Sequence, residues 1–289
     1  MEFSDLTIFL AVVRNGGVVR AAEVLHRAQS SVTSRIQVLE EKLGVQLFLR
    51  EGRRLQLSPA GQILVGYAER LVELSRAAAN AVQSDQPTGV LRLGAMESTA
   101  AVRLPGPLGI FHERYPDVAL ELYSGDPRDL VNKVLNSELD AALIADPVSD
   151  HRLETMAIYD EELVIIAEAK HGAIASPKDL PSKSILAFHP GCPHRKRLED
   201  WFARGHVMPE RIVEVGSYHL ILGCVAVGMG VALVPHSVLD TYTERARLSV
   251  HKLRAKFGRV KTRLVWRREA PQAKILALST VLLESHHKS

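Results

Sequence analysis

A polar face on one short segment near the N-terminus carries the clearest chemical signal in this chain. Val32, Ile36, Leu39 and Leu43 recur at steps of four, three and four, which predicts a helix with a narrow apolar stripe. The polar side chains around that stripe are Gln29, Ser30, Ser31, Thr33, Ser34, Arg35 and Gln37. Short hydroxyl and amide groups donate and accept hydrogen bonds and fit a DNA major groove, so we predict that this face contacts bases. The alternative from spacing alone is an ordinary helical hairpin with a polar surface.

Three arginines form a second group, close behind that helix. Arg50, Arg53 and Arg54 lie on or between two strand-like runs, Val45–Arg50 and Arg54–Leu57, that flank a glycine turn. Guanidinium groups on such a hairpin bind phosphates and set the register of a protein on DNA. A solvated basic surface is the alternative, but the position of the hairpin directly after the helices favours phosphate contact.

Polar residues also follow several predicted strands in the remaining two thirds of the chain. In open α/β sheets, ligands bind beyond the carboxyl ends of the strands. Ser98 and Thr99 open a helix after the first strand, where free backbone amides favour a carboxylate or another anion. An acidic residue facing the same cleft would instead favour an amine, and plain helix capping is the alternative for each position. The predicted residues for binding a small molecule are Ser98, Thr99, Gly125, Asp126, Asp146, His189, Cys192, Ser217 and Tyr218.

The same region provides no complete set of residues for a metal or for catalysis. His189, Cys192 and His194 occupy one loop, but no second pair completes a set of four ligands. No nucleophile, base and acid stand together at the predicted strand ends. We therefore expect no metal, no cofactor and no enzymatic activity. An enzyme on a two-lobed α/β fold is the alternative.

Three helices must position the polar face. A helix from about Ser4 to Arg14 is ended by Asn15-Gly16-Gly17, and a second helix runs from about Val18 to Leu25. The corner His26–Gln29 leads into the third. Three helices followed by a basic hairpin are typical of a winged helix-turn-helix, which we predict for residues 1–58.

A long helix is predicted next. Ser58-Pro59 supplies an N-cap and a proline at the first helical position, and the pattern continues to about Gln83. Because no second helix adjoins it in sequence, we predict a homodimer through this helix rather than packing on its own domain. Residues 84–89 read as a hinge, so the linker covers 59–89. The expected coiled-coil seam is Leu64, Tyr67, Leu71, Leu74, Ala78 and Val82.

From residue 90 the chain alternates strands and helices. A βαβαβ series over residues 90–144 implies a mainly parallel sheet, with one helix running from about Ser98 through Phe111. Strands at residues 185–188, 211–215 and 231–234 form a second set. Runs at 162–167 and 262–267 are expected to cross between the two sets. We predict a two-lobed α/β domain over residues 90–289, with lobe 1 at 90–164 and 268–289 and lobe 2 at 165–267.

Composition narrows the class of protein. A chain of 289 residues is too long for one ordinary core. A net charge of only +3 excludes a general polyanion binder, so any nucleic-acid contact must come from local basic clusters. Two cysteines argue against a disulfide framework and for a reducing compartment. Without a secretory signal or a long apolar run, we expect a cytoplasmic protein with no membrane partner.

From Phe3 to Gly61 the ordered motifs resemble the DNA-binding domain of the LysR-type transcriptional regulators. Ala28 stands where that family often has Ser, which predicts a recognition helix without a side-chain cap. Ser30 stands where the family often has Pro, and the arginine that the family places near Ser34 is here Arg35. The matching landmarks are Phe9, Ala21-Ala22, Leu25-His26, Gln29, Val32, Ile36, Leu39-Glu40, Leu43-Gly44, Leu47-Phe48, Arg50 and Ser58-Pro59-Ala60-Gly61.

The resemblance implies a function and its partners. It implies a regulator on double-stranded promoter DNA, assembled as a dimer of dimers, hence a homotetramer, with RNA polymerase as a partner if it activates. Residues 90–289 are similar to the family's two-lobed effector domain, related to type 2 periplasmic binding proteins, with a small-molecule effector of unidentified type between the lobes. Met96–Pro105 resembles a PtrR-like subgroup. Whether the regulator activates or represses stays open.

Overall fold

The chain divides into two compact units, which are described separately. The computed structural model describes residues 2–51, 54–83, 87–145, 149–180, 182–253 and 255–286. The first unit is Met1–Asp85 and the second is Gln86–Ser289. In the described ranges, we find no helix with both the length and the hydropathy needed to cross a membrane.

The first unit begins with three helices, as the sequence predicts. They are α1 (Phe3–Arg14), α2 (Val18–Val24) and α3 (Gln29–Leu43). Gly44 ends α3 in the left-handed conformation, with φ 69°, which glycine adopts without strain. No side-chain hydrogen bond caps α3 at Ala28, which confirms the expectation from the missing serine.

A hairpin follows, built from β1 (Phe48–Glu51) and β2 (Arg54–Leu57), with Phe48 opposite Leu57. The first strand begins at Phe48 rather than at Val45 as predicted. The reason is a contact with α3, since the backbone N–H groups of Leu47 and Phe48 donate to Glu40 Oε1 at 2.7 and 3.1 Å. The chain entering the strand is therefore held by the helix and not by a strand partner.

The long helix α4 (Pro59–Gln83) has the predicted bounds, and Ser58 Oγ caps it by accepting from the Gly61 N–H at 2.9 Å. One side of α4 packs on its own unit, because Ala68 is fully buried and Leu64 contacts the core around it. The expectation that α4 has no partner within the chain is therefore wrong for this side. The large apolar side chains that α4 leaves exposed are Ile63, Tyr67, Leu71 and Leu74.

The second unit alternates strands and helices. Its strands are β3 (Gly89–Ala95), β4 (Val118–Ser124), β5 (Ala141–Ala145), β6 (Leu153–Glu168), β7 (Ser184–Ala187), β8 (Arg211–Glu214), β9 (Ala232–Pro235), β10 (Leu248–Lys252) and β11 (Arg259–Arg267). Its α-helices are α5 (Pro105–Arg114), α6 (Pro127–Leu135), α7 (Pro193–Arg204), α8 (Tyr218–Ala226), α9 (His236–Leu239), α10 (Ala255–Gly258) and α11 (Ala273–His286).

These strands build two lobes. In lobe 1 the order is β4-β3-β5-β11-β6, with β3 parallel to β4 and β5 and with β11 antiparallel to its neighbours. In lobe 2 the far end of β6 pairs antiparallel with β9 and β10, while β7 pairs parallel with β8. Strand β6 thus belongs to both lobes. Its register with β11 shifts once, between Thr262 and Arg263, and Thr262 is buried.

Three features of this unit differ from the sequence expectations. Strand β6 begins at Leu153 rather than at 162. The sequence prediction missed its first half because buried and open positions mix there, and the continuous apolar run comes only in the second half. The helix predicted through Phe111 is broken into a π-helical turn, Thr99–Arg103, and α5. Pro105 lacks an N–H and begins the second piece. Helix α7 follows the loop around His189 and was not predicted.

Candidate functional site

The polar face of α3 lies exposed on the first unit. Ser30, Ser34 and Gln37 are exposed, and so are Gln29 and Ser31. Of the opposite stripe, Val32, Ile36 and Leu39 are buried in the unit's core. Leu43, predicted to share this stripe, is 38% exposed, because it lies in the last turn of α3. Thr33 is half-buried, and its hydroxyl donates to the Gln29 carbonyl at 3.0 Å. The helix therefore presents short hydrogen-bonding groups to solvent while its buried apolar face holds it in the core.

Arg35 has a structural contact that the sequence did not reveal. Its Nη1 donates to Asp5 Oδ1 at 3.1 Å, and the Asp5 side chain is fully buried. Asp5 also accepts from the Glu2 backbone N–H at 2.9 Å. The guanidinium thus ties α3 to α1, and a contact between Arg35 and DNA stays a prediction.

The hairpin carries two of the three predicted arginines, Arg50 and Arg54, on its strands. Arg50 stands opposite Leu55 in the register, and Arg54 stands opposite Glu51. The structure describes only the backbone of Arg50 and Arg54, and Arg53 lies outside the described residues. Because Glu40 binds the start of β1, the orientation of the hairpin is coupled to the helix that carries the polar face.

A cavity of about 240 Å³ lies between the lobes of the second unit, at the ends of β3, β4 and β7. Six of the nine predicted ligand-binding residues line it: Ser98, Gly125, Asp126, His189, Cys192 and Tyr218. Thr99 is buried behind the wall, and Ser217 instead caps α8 by accepting from the Leu220 N–H at 3.3 Å. Asp146 lies outside the described residues.

Sequence reasoning missed part of the wall. Glu97 and Ser124 line the cavity, and each directly follows or ends a strand, so the same strand-end rule could have found both. His194 had been considered only as a metal ligand. The remaining lining residues are Met96, Pro127, Phe188, Pro193 and Gly216.

An imidazole–carboxylate contact joins the two lobes at the cavity. His189 Nε2 lies 2.6 Å from Asp126 Oδ1. Asp126 follows β4 in lobe 1, and His189 follows β7 in lobe 2. This pair lies in the cavity wall and links the lobes through two partly exposed groups.

Tyr218 contributes a buried polar group to the cavity lining. The hydroxyl of Tyr218 lies 2.5 Å from His194 Nδ1 and also forms a hydrogen bond with Ser98. Burial raises the pKa of Tyr218 well above its usual value, so the phenol stays protonated. Phe188 packs edge-on against its ring, with 4.8 Å between ring centroids.

Burial also shifts the pKa values of Glu97 and Cys192 in the cavity wall. Burial raises the pKa of Glu97, and a hydrogen bond from the Tyr218 backbone and the charge of His219 partly oppose the shift. Among the described residues, Glu97 Oε2 is buried without a hydrogen-bond partner. Burial also raises the pKa of the Cys192 thiol, which disfavours the reactive thiolate.

The described part of the chain offers no cluster of three or more His, Cys, Asp or Glu side chains that could hold a metal ion. Within that same part, the charged or titratable side chains in the lining are Glu97, Asp126, Cys192, Tyr218 and the two histidines, and neither lysine nor arginine is among them. The arrangement can bind a small molecule through hydrogen bonds and acidic groups.

Comparison with known proteins places both units in one family. The family model described as "Bacterial regulatory helix-turn-helix protein, lysR family" matches residues 3–62, and "LysR substrate binding domain" matches residues 84–286. Among relatives, the HTH-type transcriptional regulator GltR of Bacillus subtilis is 36% identical over 272 residues, covering 93% of this chain and 91% of GltR.

Solved structures share the whole fold. A full-length OxyR variant from Pseudomonas aeruginosa is 25% identical with a TM-score of 0.72, covering 98% of both chains. Full-length CbnR, solved with its target DNA, is 22% identical with a TM-score of 0.66, covering 99% of this chain and 100% of CbnR. The relatives are named transcriptional regulators, so this chain is a DNA-binding regulator and not an enzyme. The chain belongs to the LysR family of bacterial transcriptional regulators.

Proposed function

We propose that this regulator reads promoter DNA with the polar face of α3 and that a small molecule in the cavity between the lobes changes its DNA binding. The observation that carries the proposal is the exposure of Ser30, Ser34 and Gln37 on a helix whose other side is buried. Such a helix can enter a major groove without rearranging its own core. CbnR, a neighbour in fold, is solved in complex with its target DNA, which supports this use of the unit.

In the proposed DNA contact, bases are read by Gln29, Ser30, Ser31, Thr33, Ser34, Arg35 and Gln37. Arg50, Arg53 and Arg54 bind phosphates. The proposed effector contacts are the cavity residues already described, together with Thr99, Asp146 and Ser217. We keep the division into residues 1–58, 59–89 and 90–289. The boundary between the two compact units near residue 85 supports the separation of residues 90–289, whereas most of 59–89 belongs to the same unit as 1–58.

We further propose that the chain forms a homodimer through α4 and that two dimers form a tetramer. Ile63, Tyr67, Leu71 and Leu74 form an exposed apolar row at steps of four, four and three along α4. A row with this spacing matches a helix–helix seam and is unfavourable in water. Two recognition helices in one dimer would match two half-sites. RNA polymerase is the partner if the regulator activates, and the cytoplasm is where it meets promoter DNA.

The DNA-reading part is tested by replacing Thr33 and Ser34 together with alanine. We expect the ratio of affinities for promoter and random DNA to fall about 5- to 100-fold, since one good base contact contributes about 1–3 kcal/mol of discrimination. Binding would be measured by gel shift on the region upstream of the gene and mapped by nuclease protection. An unchanged ratio would contradict the proposal.

Thr280→Ala is the matched control for that variant. Thr280 is exposed on α11, and its hydroxyl donates to the Leu276 carbonyl at 2.9 Å, the same geometry as Thr33 with Gln29. The control therefore repeats the loss of a threonine hydroxyl on a helix of the other unit, which is not part of the proposed DNA contact. We expect it to bind both DNAs as the parent chain does.

The dimer is tested by Leu71→Asp, with Leu276→Asp as the control. The two leucines are similarly exposed, 41% for Leu71 and 45% for Leu276. A buried, unpaired carboxylate in the seam should separate the protomers, whereas the same change on α11 leaves the seam intact. Light scattering gives the mass of each variant. Equal masses for the two variants would rule out this face of α4 as the interface.

A further inference from the structure

We infer that the small molecule bound between the lobes carries a protonated amine. The inference rests on the proposed function only in taking the cavity as the effector site. Its basis is the chemistry of the lining, where Glu97 and Asp126 contribute two carboxyl groups. In the described part of the chain, no lysine or arginine lines the cavity to balance them.

Glu97 supplies the strongest single observation. Its Oε2 atom is buried without a hydrogen-bond partner among the described residues, while the Tyr218 backbone N–H and the charge of His219 act on the same carboxyl group. A buried carboxylate oxygen without a donor is unfavourable, and proteins keep such groups where a ligand or a functional change requires them. An ammonium group offers three N–H donors and a positive charge, which satisfy both the hydrogen bond and the charge.

An anionic ligand fits this wall less well. The amides at the start of the helical turn after β3 and the Ser98 hydroxyl could donate to a carboxylate, as the sequence suggested. A carboxylate there would share a cavity of about 240 Å³ with Glu97 and Asp126. Like charges at such range repel, and among the described lining residues only His189 and His194 could carry a positive charge to oppose the repulsion.

The contact between the lobes gives the amine a route to regulation. His189 Nε2 lies 2.6 Å from Asp126 Oδ1 and takes up one hydrogen-bonding position of that carboxylate. An ammonium group bound to Asp126 would replace the imidazole, and the hydrogen bond that links β4 of lobe 1 to β7 of lobe 2 would be lost or rebuilt through the ligand. A ligand that binds the two lobe arrangements unequally shifts the balance between them.

The size of the cavity limits the class further. At about 240 Å³ it is smaller than the pockets of roughly 300–1,000 Å³ that hold drug-sized molecules. The apolar part of the wall, Met96, Phe188 and Pro193, suits a short carbon chain. We therefore assign a small aliphatic amine, of about four to six carbons, as the ligand class.

The test compares matched four-carbon compounds on the full-length chain. 1,4-Diaminobutane, 1-aminobutane and 4-aminobutanoate carry amines, whereas butanedioate and butanoate carry only carboxylates. Calorimetric titration and the melting temperature report binding. An amine at about 100 times its dissociation constant should raise the melting temperature by about 5–10 °C. If no amine gives a binding heat or a shift in melting temperature, the inference is overturned, whether or not a carboxylate binds.

Two variants connect the binding to Glu97. Glu97→Gln should weaken the amine about 10- to 100-fold, because a charge-assisted hydrogen bond is lost while the side-chain shape is kept. Glu113→Gln removes the same charge from an exposed position on α5 and should leave the affinity unchanged. The melting temperature of Glu97→Gln without ligand shows that it folds. Equal amine affinity in all three chains would also overturn the inference.

Gel shifts on the same samples separate this inference from the proposed function. If promoter binding responds to a carboxylate and to no amine, the regulator proposal stands and the amine inference falls. If an amine binds but promoter binding is unchanged, the ligand class stands and the effector role of the cavity falls. A change in promoter binding with the amine, abolished in Glu97→Gln, supports both.

Discussion

Glu161→Gln is expected to destabilise the second unit by about 2–3 kcal/mol, because Glu161 anchors a partly buried ion pair where the lobes meet. Arg103 Nε donates to Glu161 Oε1 at 2.7 Å and Nη2 donates to Oε2 at 3.2 Å. Ser237 donates to the same Oε2 at 3.0 Å. These contacts join the π-helical turn after β3, strand β6 and helix α9.

The magnitude follows from the exposure of the two partners. Arg103 is 25% exposed and Glu161 is 7% exposed. Removing one partner of a fully buried pair costs about 3–5 kcal/mol, and a fully exposed pair contributes about 0–1 kcal/mol. This pair lies between the two limits. For a unit of this size, each kcal/mol lowers the melting temperature by about 2–4 °C, so we expect a fall of about 4–12 °C.

The assay is a double-mutant cycle by scanning calorimetry. Glu161→Gln and Arg103→Gln are measured singly and together, and the coupling free energy is the part that the singles do not explain. The control pair is Arg114 with Glu284, which is also bidentate, at 3.3 and 2.9 Å, but is 42% and 48% exposed. Solvent screens the control pair, so its coupling should be much smaller.

Two results would refute this reasoning. Equal coupling in the two cycles would mean that burial does not strengthen the Arg103–Glu161 pair. A Glu161→Gln chain as stable as the parent would mean that Ser237 and the retained amide satisfy Arg103 without the charge. Either result would remove the pair as a structural link between the lobes.

Three further predictions follow from single side chains. Burial raises the pKa of Tyr159 to about 12, so the stability that its neutral phenol contributes is complete below about pH 10 and is lost as the pH rises through 12. Thermal melts should show that the free energy of unfolding falls by about 2–3 kcal/mol over that pH range in the parent chain and not in Tyr159→Phe. If the two chains lose stability equally with pH, the prediction is wrong. Burial raises the pKa of Glu97, so its ionised form opposes folding near neutral pH, and Glu97→Gln should melt about 2–4 °C higher for each kcal/mol gained; a lower melting temperature would count against this. Arg50→Ala should weaken binding to all DNA sequences and flatten the salt dependence by about one unit, and an unchanged slope in salt titrations would exclude a phosphate contact.

The helices of the first unit were predictable because their signals are local. Gly44 ends α3, and Ser58 with Pro59 starts α4, at the positions that the sequence indicates. Arg35 shows the limit of such reasoning. Its partner Asp5 lies thirty residues away in the chain, on a different helix, and neither residue type signals that the carboxylate is buried. The sequence also could not show which apolar side of α4 is buried within the unit and which is exposed, because that depends on where α1 packs.

The second unit was predictable in its order of elements and less so in its bounds. The first half of β6 alternates buried and open residues over a stretch that also contains Asp160 and Glu161, which conceals a strand. Six cavity residues were predicted because polar groups at strand ends converge in this class of fold. Glu97 was missed because a glutamate at the start of a helix usually signals a favourable first turn rather than a ligand contact.

The strand that the lobes share, β6, has a mechanical consequence through its pairing with β11. A flexible loop lets two bodies rotate with little resistance, but a paired ribbon made of β6 and β11 resists rotation as increased or decreased strand twist. The irregularity at Thr262 and Arg263 is where twist changes most readily. The strand register therefore sets a preferred angle between the lobes. A bound molecule that changes this angle must work against strand twist, and the preferred angle is regained when the molecule leaves.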